Sequence, residues 1–150
     1  MDLLLAARDG VKLAASLFES ATPNGHAVLL NSGTGIPRQF YGAFARHLVD
    51  RGFTVLTYDY RGLGGSDKPR DATMEQWGSI DQASMIDHLA ALAPDASRAV
   101  IGHSLGSVIL RRALGKLTAN PPRHCFFLAP PMRACAMSGW LPMPGSTGRR

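Results

Sequence analysis

The sequence predicts an α/β fold, a mostly parallel sheet that follows an N-terminal antiparallel hairpin and carries helices on both faces. Three observations predict it. Short apolar runs alternate with stretches of helical periodicity, the pattern of right-handed βαβ units. The first two runs are joined instead by a tight turn signal. Each later run ends in a polar, glycine-rich segment, which places those loops together at one edge of the sheet.

Leu3 to Ala7 and Lys12 to Phe18 flank Arg8-Asp9-Gly10, and an Asp-Gly pair between such runs favours a hairpin. After Thr22-Pro23-Asn24-Gly25, the run Ala27-Val28-Leu29-Leu30 is continuously apolar, as a strand covered on both faces must be. Pro37 suits the first turn of a helix, and Phe40, Phe44 and Leu48, with Tyr41, Ala45 and Val49 beside them, form its apolar stripe up to the stop at Gly52. Thr54 to Tyr58 is a strand by its β-branched and aromatic content. Thr73 and Gln76 make a capping box, after which Met74, Trp77, Met85, Leu89 and Leu92 recur at helical spacing until Pro94. Asp81 falls on that stripe, so its carboxylate is expected to meet a donor from a nearby loop rather than to do chemistry. Ala99-Val100-Ile101 is a third buried strand, Gly102 to Gly106 a turn, Val108 to Leu117 a helix, and Cys125 to Leu128 a candidate next strand.

At 150 residues, 45% hydrophobic and 18% charged, the composition is that of a globular domain. No apolar stretch reaches membrane-spanning length, and an acid stands where a signal peptide carries its basic region, so a cytoplasmic protein without membrane contact is expected. Cys125 and Cys135 are expected to be free thiols, because no second pair or zinc-spaced histidine accompanies them. The net charge of +5 is unevenly spread: residues 1–104 hold all eleven acids and nine of the sixteen Lys and Arg, whereas residues 105–150 hold no acid. That basic segment is rich in proline and lacks the aromatic interleaving of a nucleic-acid module, so no nucleic-acid partner is expected. Gly62-Leu63-Gly64-Gly65 misses the spacing of a dinucleotide loop, and no metal or cofactor signature is present.

The segment that carries chemistry is Gly102-His103-Ser104-Leu105-Gly106, a Gly-x-Ser-x-Gly pentapeptide set between a β-branched strand and a helix. A sharp strand-to-helix turn lifts the central hydroxyl above the sheet, and the glycines on either side let the backbone pass. Ser104 is therefore the candidate nucleophile. The Leu105 amide, at the positive end of the following helix, is one candidate oxyanion donor, and Gly33 or Thr34, in the loop Asn31-Ser32-Gly33-Thr34-Gly35, is the other.

Residues 1 to about 118 resemble the N-terminal half of an α/β-hydrolase of the serine aminopeptidase-like or lysophospholipase-like type. The pentapeptide supports the resemblance, as does Asp59-Tyr60-Arg61-Gly62-Leu63-Gly64-Gly65-Ser66, which is similar to the Asp-x-Arg-Gly-x-Gly-x-Ser segment of these proteins. Where the family usually has His-Gly, this chain has Asn31-Ser32, and Asn31 to Arg38 resembles a bacterial branch of hydrolases. The resemblance implies hydrolysis of a small-molecule ester or amide through an acyl-enzyme on Ser104, without a cofactor. It also implies a chain order of Ser, then Asp or Glu, then His. Residues 105–150 contain no Asp or Glu and only one histidine, His124, at the start of the candidate strand. Triad acid and base are thus expected to be missing and the chain impaired or inactive, and a non-catalytic remnant or acyl-binding module is the competing reading. His103, His47 and His88 are expected to be structural or superficial.

From Ala119 onward periodicity fades, and residues 119–150 are expected to form a poorly ordered tail of a truncated or frame-disrupted product, distinct from the core at 1–118. A sheet cut short would expose an unpaired edge strand and invite self-association.

Overall fold

The computed structural model describes residues 1–113 and 122–128. They build one six-stranded sheet from β1 (Asp2–Ala6), β2 (Lys12–Phe18), β3 (His26–Asn31), β4 (Thr54–Tyr58), β5 (Ser97–His103) and β6 (His124–Leu128), in the order β1-β2-β4-β3-β5-β6. The hairpin β1–β2 is antiparallel and joins the rest through an antiparallel β2–β4 pairing. From β4 through β3 and β5 to β6 the sheet is parallel. The fold is the mostly parallel sheet behind a hairpin that the sequence predicts.

Side chains alternate across a strand, so each central strand feeds two cores. Leu29, Leu56, Tyr58 and Val100 pack with Met85, Ile86 and Leu89 from α3 (Ala83–Leu92) and with Ile109 and Leu110 from α4 (Leu105–Ala113). Val28, Leu30 and Val55 face the other way, onto Tyr41 and Ala45 at α1 (Gly42–Val49). Burying each such side chain stabilises the fold by roughly 1.5–3 kcal/mol relative to exposure. The unbroken apolar run of β3 is therefore accounted for by its central place, covered on both sides.

Two helices depart from expectation. The expected stripe was Phe40, Phe44 and Leu48 with Tyr41, Ala45 and Val49 beside them, and its two rows are not equally covered: Phe40 is 68% exposed and Phe44 38%, whereas Tyr41 is buried and Ala45 fully so. The cause is a 3-10 turn over Arg38–Tyr41 that precedes α1 and turns the buried face onto Tyr41 and Ala45. The helix expected from Thr73 to Leu92 does begin at the Thr73–Gln76 capping box. It is interrupted, however, by a π-helical stretch, Trp77–Gln82, between α2 (Met74–Gln76) and α3. Its wider turn lets two consecutive side chains, Asp81 and Gln82, both point inward and be fully buried.

The strand expected at Cys125–Leu128 forms one residue longer and pairs with β5, so the sheet extends past residue 118. The end of the helix expected over 108–117, from residue 114, lies outside the described residues, as do 119–121, 129–150 and Cys135. Cys125 is a free thiol whose pKa burial pushes up to about 11. Among the described residues no helix is long and apolar enough to cross a membrane.

Candidate active site

Strand β5 ends at His103 and α4 begins at Leu105, so Ser104 alone makes the turn between them. Its φ is 52°, and it is the one non-glycine residue with positive φ among the described residues. An L-residue held there stores roughly 1–2 kcal/mol of strain. The turn closes with Ser107 N–H donating to the Ser104 carbonyl at 3.0 Å and the Ser107 hydroxyl donating to the Gly102 carbonyl. Neither flanking glycine tolerates a side chain. A Cβ at Gly102 would lie 2.7 Å from the Ser107 backbone, and one at Gly106 would lie 2.6 Å from the Asn31 carbonyl oxygen. Ser104 is half-buried, and among the described residues nothing hydrogen-bonds to its hydroxyl.

The loop after β3 lies against this turn. A Cβ built on Gly33 would sit 3.4 Å from Ser104 Cβ and 3.3 Å from His103 Nδ1. The Gly33 amide, however, donates to the Tyr41 hydroxyl at 3.0 Å, and the same hydroxyl is 2.8 Å from His103 Nδ1. Tyr41 also meets the His103 ring edge-on, with centroids 5.9 Å apart. Burial raises the Tyr41 pKa, with the Gly33 hydrogen bond opposing, so the phenol stays neutral. Tyr41 was not singled out in the sequence except as a flank of the helical stripe. Asn31 donates to Gln82 Oε1 at 3.1 Å and accepts from the Tyr58 hydroxyl at 3.0 Å, which ties the loop to the π-helical stretch.

Residues 26–147 match the model of the alpha/beta hydrolase fold. The chain belongs to the α/β-hydrolase family. This α/β-hydrolase is 29% identical to Rv2307c, an uncharacterized protein of Mycobacterium tuberculosis, over 95% of its own length and 51% of that protein's. It thus spans about half the length of the curated relatives it matches. Among solved structures it is similar to an esterase from Exiguobacterium antarcticum (23% identity, TM-score 0.67, 85% of this chain and 44% of that one). It is also similar to an esterase of Pyrococcus furiosus (21%, 0.68, 79% and 45%). A hypothetical protein of Pseudomonas aeruginosa is a further match (21%, 0.72, 85% and 41%). At these identities the likeness is one of fold.

In this α/β-hydrolase, two buried ion-pair clusters hold the loops at the C-terminal edge of the sheet. Asp59 accepts from the Arg38 amide and guanidinium, both at 2.7 Å, and from the Gly65 amide at 3.0 Å. A Cβ on Gly64, whose φ is 49°, would fall 2.2 Å from the same carboxylate, which explains the glycine there. Asp81 accepts from the Arg61 amide at 2.9 Å and from its guanidinium at 2.8 and 2.7 Å, which is the loop donor its place on the stripe suggested. Burial disfavours the Arg61 charge, but hydrogen bonds to Asp9 and Asp81 outweigh it and hold its pKa above the ordinary value. The sequence named Asp59 and Arg61 only as parts of a familiar segment, and their partners Arg38 and Asp9 were not legible from it.

The remaining histidines lie away from Ser104. His88 donates to the Ala6 carbonyl at 2.8 Å, and His47 sits beside Arg51 on an exposed helix face. His124 pairs in register with Ala99, four residues before His103, so it sits roughly 13 Å from the edge where Ser104 turns. Beside His103 a cleft of about 210 Å³ opens between Leu30, Phe40, Tyr41, Phe44 and Ile101. Its walls are mostly apolar.

Proposed function

We propose that this chain is the nucleophile-bearing part of a serine hydrolase of the serine aminopeptidase-like or lysophospholipase-like branch. It would open small-molecule ester or amide bonds through an acyl-enzyme on Ser104. The observation that carries the reading is the φ of 52° at Ser104, on a turn whose glycines permit no side chain. Strain of that kind persists where a function requires it. Gly102, His103 and Gly106 shape the turn, and Leu105 supplies the first oxyanion donor. Membership of the fold family and likeness to two esterase folds support the hydrolase lineage. The branch rests on the Asp59 to Ser66 segment together with the pentapeptide.

We also propose that residues 105–150, which hold no Asp or Glu and whose His124 stands at the opposite edge of the sheet, do not themselves complete a triad with Ser104. A serine without a positioned base is a weak nucleophile, and its loss removes orders of magnitude of rate. A second reading, favoured by the mostly apolar cleft beside His103, is a non-catalytic acyl-binding module. A fluorophosphonate probe with Ser104→Ala as control separates the two. Labelling that disappears in the variant supports an activated serine, and turnover of short p-nitrophenyl esters no faster than the variant's leaves the binding reading. We further propose self-association through β6, the outer parallel strand among the described residues. A single sedimentation coefficient, independent of concentration, would refute it.

A further inference from the structure

We propose that the Tyr41 hydroxyl is the second oxyanion donor of this site, in place of a backbone amide at Gly33 or Thr34; the proposal rests on Ser104 being the nucleophile. The Gly33 amide faces the wrong acceptor for that task, because its single proton is already engaged by Tyr41 at 3.0 Å. The hydroxyl that engages it also contacts His103, the residue before the nucleophile. The position where Gly33 would carry a Cβ is 3.4 Å from Ser104 Cβ and 3.3 Å from His103 Nδ1, and that nitrogen is 2.8 Å from Tyr41 Oη. The Gly33 amide thus meets the phenol, while its bare Cα face looks onto the imidazole and the Ser104 Cβ.

The chemistry of the three groups fits the role. With the imidazole proton on Nδ1, the phenol oxygen accepts from both Gly33 N–H and His103, and its own O–H is left to donate elsewhere. A hydroxyl that accepts two hydrogen bonds is polarised into a stronger donor. Burial keeps the phenol neutral, so it meets a developing negative charge as a donor and not as a like charge. No proton changes owner: the O–H points at the oxyanion while it exists and is released when it collapses. Tyr41 is fixed for this at the junction of the 3-10 turn and α1, with its hydroxyl end at Gly33 and its ring packed with Leu30 and edge-on to His103.

The test is the concentration dependence of fluorophosphonate labelling for the parent chain, Tyr41→Phe and Thr34→Pro, followed by intact mass, with melting curves for each. Removing one oxyanion donor lowers the bond-forming rate by roughly 10²-fold or more. The expected result is that Tyr41→Phe lowers kinact by that factor with KI unchanged, a split that loss of packing alone would not produce, while Thr34→Pro leaves kinact at the parent value. Parent-like kinact in Tyr41→Phe, or a loss confined to Thr34→Pro, overturns the proposal and leaves Ser104 as nucleophile. No labelling of the parent at Ser104 overturns the nucleophile reading and this proposal with it. Should Tyr41→Phe fail to fold, a large loss of kinact in a folded Thr34→Pro still overturns the proposal by assigning the donor to the Thr34 amide.

Discussion

Replacing Ser104 with glycine should make the protein more stable while removing the side chain on which the proposed chemistry depends. Ser104 sits at φ 52°, a conformation that an L-residue adopts at roughly 1–2 kcal/mol and glycine adopts freely. Against that relief, glycine gives the unfolded chain additional freedom worth about 0.4–1 kcal/mol. The balance is a net stabilisation of about 0–1.6 kcal/mol, centred at about 0.8. For a chain of this size, at about 2–4 °C per kcal/mol, Ser104→Gly should melt about 1–4 °C above the parent. Ser104→Ala separates the two contributions, because it deletes the hydroxyl but keeps the strained backbone, and among the described residues the half-buried hydroxyl has no partner to lose. The assay is thermal unfolding by circular dichroism of parent, Ser104→Gly and Ser104→Ala in one buffer. A glycine variant that melts no higher than the alanine variant would refute the claim that strain is stored at this residue.

Three further outcomes follow from the same geometry. Gly106→Ala should be among the most damaging small substitutions, at the upper end of about 1–3 kcal/mol, because its methyl would meet backbone oxygen at 2.6 Å; Gly33→Ala, which meets only side chains at 3.1–3.4 Å, should melt distinctly higher, and the reverse order would contradict the packing. Hydrogen bonds from Arg61 hold the Asp9 carboxyl below its ordinary 3.8, so the unfolded chain binds protons that the folded one does not. Stability contributed by Asp9 is therefore complete above that value and is lost as pH falls through the lower folded pKa; urea midpoints taken from pH 6 down to pH 2 should fall less steeply in Asp9→Asn than in the parent. With its pKa near 11, Cys125 should react with iodoacetamide at pH 8 roughly 10²-fold more slowly in the folded protein than in urea, read in a Cys135→Ser background, and equal rates would show that the thiol is not shielded.

Much of the sheet was legible because its residues obey a single period. The continuous run Ala27 to Leu30 could only be a strand covered twice, and it is one of the two interior strands of the parallel part. Asp-Gly at positions 9 and 10 marked the hairpin, and Gly-x-Ser-x-Gly marked the turn at Ser104 through steric needs that are local to five residues. What could not be read was whatever depends on a neighbour far along the chain. The 3-10 turn before α1 shifted the buried face from Phe40 and Phe44 to Tyr41 and Ala45, and nothing in the apolar spacing distinguishes those two registers. The π-helical stretch follows from partners of Asp81 and Gln82 that come from Arg61 and Asn31, twenty and fifty-one residues away. The same holds at the candidate site. Ser104 announces itself, whereas the link from Tyr41 to Gly33 and His103 exists only once a loop and a strand end have been brought together.

The position of β3 has a consequence for how the chain is made. β3 is synthesised early, yet it needs β4 on one flank and β5 on the other, and its register with β5 runs from His26 opposite Ser97 to Asn31 opposite Gly102. A nascent polypeptide that has emerged only through β4 carries one open, uninterrupted apolar edge, the kind that pairs with any available stranger. The segment ending at Gly102 closes that edge, so the ribosome delivers the Ser104 turn and the last protection of the sheet's middle together. Chaperone demand should be concentrated in the interval before β5 emerges.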